Sequence, residues 1–276
     1  MTHMSQELVI EAGRSERQYW KDLWHYRELF LILTWRDVAV QYKQTVVGIL
    51  WAVLRPLLTM AAFTFVFAKV AKLPSEGEAP YPLMVFTAML PWQLFSSAIA
   101  TSANSLVANS NLVAKVYFPR IIVPAATMGV AMTDFVISFV LLSAMMFWYQ
   151  YVPSIQFFAV IPLTVLAALV ALGPGLILCA LNVTYRDFRI IVPFITQFGL
   201  YLSPVGFSSS IVPEKWRLLY ECNPMVGVID GFRWAVLGSI AFPQRALLIS
   251  VGCALFFLIC GIKIFRKAER TFADVI

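Results

Sequence analysis

The sequence predicts an all-α integral membrane protein: six transmembrane helices, an N-terminal amphipathic interfacial helix, and a re-entrant helix pair before the last span. Three observations carry this fold class. Of 276 residues, 60% are hydrophobic and 13% charged, with a mean hydropathy of +0.78, which lies outside the usual composition of soluble domains. The apolar residues fall into blocks of about 20, the length that crosses a hydrocarbon core of roughly 30 Å. Lys and Arg are concentrated in alternate linkers between those blocks, the pattern of a multi-pass chain.

Residues 1–45 read as a cytoplasmic segment and 46–276 as the six-helix membrane domain. Tyr19, Leu23, Tyr26, Phe30 and Leu33 recur at alternating steps of four and three, while Lys21, Asp22, His25 and Glu28 fall elsewhere on the wheel. With Trp20, Trp24 and Trp35 close by, this is an amphipathic helix in the headgroup layer, where indole rings are favoured. The alternative is a soluble-type helix packed on another surface. The first apolar run begins only after about forty residues and follows a charged, aromatic segment, so a cleaved signal peptide is not expected.

The spans are placed at 46–70, 83–105, 121–149, 155–181, 190–207 and 246–265. The stretch 226–242 is apolar but broken by Asp230, Gly231 and Arg233, which favours short re-entrant or interfacial helices over a full crossing. With both termini inside, the cytoplasmic segments hold the basic residues of 14–43, Lys115, Arg120, Arg186, Arg189 and those of 263–270. The outer segments hold only Lys69, Lys72, Lys215, Arg217, Arg233 and Arg245, and the linker 150–154 carries no charge.

The net charge of +6 is spread between apolar blocks and forms no single stripe, so no nucleic-acid partner is expected. No G-x-x-x-x-G-K-[S/T] string occurs, so ATP-driven work must come from a partner. His3 and His25 are the only histidines, which leaves no catalytic triad and no metal site. Of Cys179, Cys222, Cys253 and Cys260, three fall inside apolar spans, and no disulfide is inferred. The acceptor string Asn182-Val183-Thr184 abuts a span on the inner side and is read as chance.

Two intramembrane charges stand out. Arg55, followed by Pro56, either meets an anionic headgroup or pore, or snorkels to the cytoplasmic boundary above a proline kink. Asp134 sits in the third span and needs a proton, a cation or a donor; a structural partnership with Arg55 or a neighbouring helix is favoured over a proton relay. The inner loop 104–120 is compact and polar and ends at Pro119, which suits docking on a soluble partner but also any cytoplasmic turn. Aromatic residues make up 14% of the chain; rings such as Trp51, Phe63, Phe67, Phe198 and Tyr201 would let sugar faces slide by stacking, although most rings pack or face lipid.

Specific strings decide more. Trp35-Arg36-Asp37, then 41–48, then Trp51 through Arg55-Pro56-Leu57 resembles the approach to the first span in type-2 ABC permeases that export polysaccharides or polyol phosphates. Three further strings agree in order: 112–120, 181–187, and Asn223-Pro224-Met225-Val226 leading to 230–233. The chain is thereby identified as similar to the group exporting O-antigen, teichoic acid or capsule chains across the bacterial inner membrane.

The resemblance implies a homodimer of this chain, two copies of a separate ATPase that binds ATP and Mg, no cofactor in the permease itself, and a passage between the two permeases. It places a coupling helix for the ATPase within 104–120, with Asn111, Lys115, Tyr117, Phe118 and Arg120 near that contact. Arg36, Tyr42, Lys43 and Arg55 would flank the cytoplasmic gate, where the pyrophosphate of a polyprenyl-linked glycan meets fixed cations. Trp51, Phe63, Phe67, Phe198 and Tyr201 would line the passage, and 208–242 would close its outer side. The alternatives are an ABC exporter of a drug or lipid and a proton-coupled secondary transporter using Asp134. A membrane-embedded transferase is disfavoured because no acids or histidines converge at a membrane face.

Overall fold

The computed structural model describes residues 16–43, 48–185, 187–238, 241–270 and 272, and the described residues form helices and no strand. In chain order these are α1 (Glu16–His25), α2 (Arg27–Lys43) and α3 (Gly48–Phe63), which runs on as a π-helical segment Thr64–Val70. There follow α4 (Tyr81–Ala108), α5 (Ser110–Lys115), α6 (Ile122–Ala126) and α7 (Met128–Trp148). A 3-10 segment, Ile155–Ala159, leads into α8 (Val160–Thr184); then come α9 (Phe188–Leu202), α10 (Glu214–Glu221), α11 (Pro224–Leu237) and α12 (Gln244–Glu269). The expected boundary at 45/46 falls in 44–47, outside the described residues.

Five helical stretches are long and apolar enough to cross a membrane: Leu50–Val70, Tyr81–Ala108, Ile122–Trp148, Ile155–Thr184 and Gln244–Glu269. The sixth expected span, 190–207, is not a sixth long helix. α9 has 15 residues and so rises only about 22 Å, and the chain leaves helical geometry at Ser203, where the following Pro204 disfavours a helical residue. Even so, 188–206 joins opposite ends of the bundle. Just before α9, Asn182 donates to the Ala103 carbonyl near the end of α4 at 2.8 Å, whereas beyond it Tyr81, at the start of α4, donates to the Gly206 carbonyl at 2.6 Å. The end holding α1, α5 and the close of α12 is called proximal below, and the opposite end distal.

α4 is the central helix. Every residue from 83 to 92 is buried, and α4 touches α3, α7, α8, α9 and α11. Its polar residues survive burial by bonding within the helix or close to it: Thr87 to the Leu83 carbonyl at 2.8 Å, Ser105 to Ser102 at 2.8 Å, and Ser102 to Pro124 at 3.1 Å. In an apolar solvent, hydrocarbon burial gives no net drive for helices to associate, so close packing at small residues takes over. α8 and α12 meet in this way: a Cβ on Gly173 would fall 2.5 Å from the Phe257 backbone, and one on Gly261 would fall 2.5 Å from the Gly173 carbonyl oxygen.

The N-terminal stripe forms one face, packed on the bundle, with one change of shape. Tyr19, Leu23, Tyr26 and Phe30 pack against a buried cluster of Leu33, Phe118, Ile121, Phe265 and Phe272, while Trp24 and Trp35 are 73% and 72% exposed. A turn at Tyr26 divides the expected single helix, but the backbone bonds Tyr26 N to Asp22 O and Phe30 N to Tyr26 O bridge it at 2.9 and 3.2 Å. The second half of α2 does not lie apart from the bundle. Thr34 donates to the Ala126 carbonyl at 3.3 Å and Gln41 donates to Asp134 at 3.2 Å, so α2 follows the opening turns of α6 and α7.

Candidate functional site

At the proximal end, α4 continues to Ala108 and shortens the expected loop. Asn109 then separates it from α5, a helix of six residues. Asn111, Lys115 and Tyr117 face outward, whereas Phe118 is 4% exposed and belongs to the cluster beneath α1 and α2. Arg120 is held from behind: its backbone N–H donates to Glu269 Oε1 at 2.7 Å and its Nη1 to the Glu269 carbonyl at 2.9 Å. Tyr19 donates to the other carboxylate oxygen at 3.2 Å, and Arg266 lies 4.6 Å over the Tyr19 ring. Burial, then the Glu269 charge, push the Tyr19 phenol well above its ordinary range. One residue near the close of α12 thus ties α1 to the segment following α5.

The expected gate residues divide. Arg36 donates to Asp37 at 2.7 and 3.0 Å and to Asn109 Oδ1 at 2.7 Å, so α2 is joined to the turn that launches α5. Tyr42 donates to Asp134, as does Gln41. The neighbouring helix, not Arg55, therefore supplies the donors that the Asp134 carboxylate needs, and burial with that carboxylate pushes the Tyr42 phenol far up. The Lys43 side chain lies outside the described residues. Trp51 and Arg55 are exposed along one stripe of α3, roughly 80–120° of arc from Phe63.

The rings do gather, as two groups. Phe63 stacks on Tyr201 with centroids 6.3 Å apart and planes 13° from parallel, and the run continues through Phe67 at 5.5 Å to Phe207 at 6.3 Å. Gly206 makes the turn possible, because a Cβ there would fall 2.4 Å from the Phe67 ring. Phe198 stacks instead on Phe194, at 5.8 Å and 7°, on the exposed face of α9. Trp51 is in neither group.

At the distal end the expected pair of short helices is present, but the pairings that hold it were not legible in the sequence. Two short helices, α10 and α11, form in the broken segment. Arg233 on α11 is fully buried; Nη1 donates to Glu76 at 3.1 Å and to the Phe207 carbonyl at 3.0 Å, and Nη2 to the Val205 carbonyl at 3.2 Å. This guanidinium pins the 71–80 linker and the chain beyond α9 to α11. In the sequence Arg233 stands out as a break in an apolar run, an outer-side cation and the end of the string 230–233, but nothing there marks Glu76 as its partner. Beside them Asp230 is 6% exposed, and burial, opposed by Arg233, lifts its carboxyl to about 6. Among the described residues, Glu76 Oε2, Asp230 Oδ1 and the Tyr220 hydroxyl are buried without a hydrogen-bond partner, although the Asp230 carboxylate accepts from Ser209.

Comparison with known proteins places this architecture. The family described as ABC-2 type transporter matches residues 28–237, from α2 to the end of α11. The O-antigen export system permease protein RfbA of Klebsiella pneumoniae is 27% identical over 252 residues, covering 90% of this chain and 95% of its own. The protein of the same name from Myxococcus xanthus is 28% identical over 261 residues, with coverage of 93% and 98%. The polysialic acid transport protein KpsM of Escherichia coli is 21% identical over 244 residues, with coverage of 85% and 91%. With five helices of membrane-crossing length and a family match spanning most of the sequence, the chain is a multi-pass membrane protein that belongs to the ABC-2 type transporter family as its membrane permease and not its ATPase.

Proposed function

We propose that this chain is the permease of an ATP-driven exporter that carries a lipid-linked polysaccharide of O-antigen type from the cytoplasm across a bacterial inner membrane. It works as a homodimer with two copies of a separate ATPase, which binds ATP and Mg. The observation that carries the reading is likeness over nearly the full length, on both sides, to permeases named for O-antigen export. Rings stacked from Phe63 and Tyr201 through Phe67 to Phe207 are in keeping with a cargo of flat sugar faces.

The proximal end is the cytoplasmic one in this reading, because it carries the basic residues 263–270 and α1 with its outward tryptophans. The chain crosses six times, with 188–207 as the fifth passage, and both termini lie inside. α10 and α11 are re-entrant and close the outer side. The outward face of α5, with Asn111, Lys115 and Tyr117, seats in the ATPase; Phe118 and Arg120 support it from within. The pyrophosphate of a polyprenyl carrier meets Arg36, Lys43 and Arg55 at the gate. A proton-coupled reading draws no support from Asp134, whose partners Tyr42 and Gln41 are neutral donors.

The test is complementation and co-purification. In a strain lacking its own permease, the chain should restore surface polysaccharide only alongside its ATPase, and should bring that ATPase down from detergent extracts. A chain recovered alone that moves glycan under a proton gradient, with no nucleotide consumed, would overturn the proposal.

A further inference from the structure

The distal joint holds one more carboxylate than it has matched cations. Glu76, on the 71–80 linker, is bonded by Arg233 at 3.1 Å, and Glu221, at the end of α10, by Arg245 of α12 at 2.6 and 2.8 Å. Asp230 makes no such ion pair among the described residues. Its carboxylate accepts from Ser209, while its Oδ1 is buried without a partner. Asp230 precedes Arg233 by three positions on α11, a spacing that makes two residues neighbours on one helix face. The Arg233 Nε is likewise buried without a partner. Two carboxylates thus stand around one guanidinium, which here turns to Glu76.

The other groups facing α11 leave the surplus in place. α10 presents Tyr220, a phenol that stays neutral in the ordinary pH range, and Glu221, already matched. Arg217 stands on the wall of the distal cavity that Asp230 also borders, and α12 supplies Arg245, already engaged. From α4 comes Tyr81, which donates to the Gly206 carbonyl. α7 and α8 meet α11 through the apolar side chains of Phe135 and Leu163. Ionising Asp230 therefore sets a second buried negative charge beside Glu76, and the two repel while drawing on one cation. A guanidinium drawn toward Asp230 is drawn away from the bond that pins the linker.

We infer that Asp230, Arg233 and Glu76 form a proton-operated catch: with Asp230 protonated the guanidinium clamps the 71–80 linker to α11, and with Asp230 ionised the second carboxylate competes for it and the linker loosens. The inference rests on the reading that α10 and α11 close the outer side, and it makes that closure tighter when the outer compartment is acidic. Burial, opposed by Arg233, lifts the closed-state carboxyl to about 6, whereas a solvated Asp titrates near roughly 4. Between those values the closed form holds the proton and the open form does not. Closure is therefore tightest below about 4, weakens as pH rises through that interval, and levels off above about 6.

The experiment measures amide hydrogen exchange of the full chain in nanodiscs at pH 5 and pH 7, as protection factors corrected for the intrinsic pH dependence of exchange. Protection in the 71–80 linker should fall by roughly tenfold from pH 5 to pH 7, the change that the two carboxyl values dictate. Asp230→Asn keeps an oxygen to accept from Ser209 but cannot ionise, so protection should stay high at both pH values. Glu221→Gln, which alters a carboxylate matched elsewhere, should retain the fall. Wild-type protection that is equal at the two pH values, or a fall that survives Asp230→Asn, overturns the catch, as does a fall abolished by Glu221→Gln alone. Surface polysaccharide in the complemented strain is scored separately. Export by a chain whose linker ignores pH removes the catch and leaves the exporter reading intact; a linker that follows Asp230, in a chain exporting no glycan, does the reverse.

Discussion

Replacing Arg233 with Met probes the joint that holds the distal end together. The wild-type pair is close, at 3.1 Å, with side chains 0% and 5% exposed. At an effective dielectric near 20, two unit charges at that separation attract by roughly 5 kcal/mol, but burying both ions costs several kcal/mol each. The net worth of the pair is therefore small, while breaking it is not. Arg233→Met leaves the Glu76 charge buried and strips the Phe207 and Val205 carbonyls of their donor, which should cost about 3–5 kcal/mol. Glu76→Gln keeps an oxygen acceptor for the guanidinium and should cost about 1–3 kcal/mol. Glu76→Leu combined with Arg233→Met should recover part of the loss, because no lone charge remains. Equilibrium unfolding in mixed micelles, followed by tryptophan fluorescence, measures all of these. If Arg233→Met costs less than about 1 kcal/mol, or if the losses of Arg233→Met and of Glu76→Leu measured singly simply add in the double variant, the buried pair is not the joint described here.

Three further outcomes follow from the packing and from the Asp134 contacts. Gly173→Val places side-chain carbon against the Phe257 backbone, where a Cβ alone would be 2.5 Å away; backbone cannot yield as a flexible side chain can, so the same unfolding assay should show a loss of about 1–3 kcal/mol or more, and an unchanged midpoint would show that α8 and α12 do not meet there. Tyr42→Phe deprives Asp134 of a donor but leaves Gln41, so it should cost about 1.5 kcal/mol, the low end for a hydrogen bond to a charged group, while Asp134→Asn should retain export measured as surface polysaccharide; lost export with normal assembly would make the carboxylate part of transport.

The proximal contacts show how a push on α5 would travel through this chain. α5 does not stand alone: Asn109 at its start is bonded by Arg36 of α2, and Arg120 beyond its end is bonded by Glu269 of α12. A partner pressing on the outward face of α5 would therefore press on α2, and through Tyr42 on Asp134 and α7. This is a chain of packed contacts and hydrogen bonds, the physical form in which coupling travels.

Five crossing blocks, the inward stripe Tyr19–Leu23–Tyr26–Phe30, and the interruption that yields α10 and α11 were all legible in order along the sequence. Each depends on periodicity or on a run of apolar residues, which are local properties. Hydropathy overstated one block, because it counts apolar residues whether or not the chain stays helical, and Ser203-Pro204 ends α9 early. Asn111, Lys115 and Tyr117 face outward, whereas the burial of Phe118 and the tethering of Arg120 needed the helices beneath them.

The sequence by itself determined that the solvent is lipid, where the five long apolar helices lie to within several residues, and which family the chain resembles. Tertiary structure alone decided the pairings of the scarce polar groups: Glu76 with Arg233 across 157 positions, Asp134 with Tyr42 across 92, and Tyr19 with Glu269 across 250. A lone charge among apolar residues announces that it needs a partner. Which partner it finds is set by the neighbours a helix acquires, and those depend on where small residues let two backbones approach.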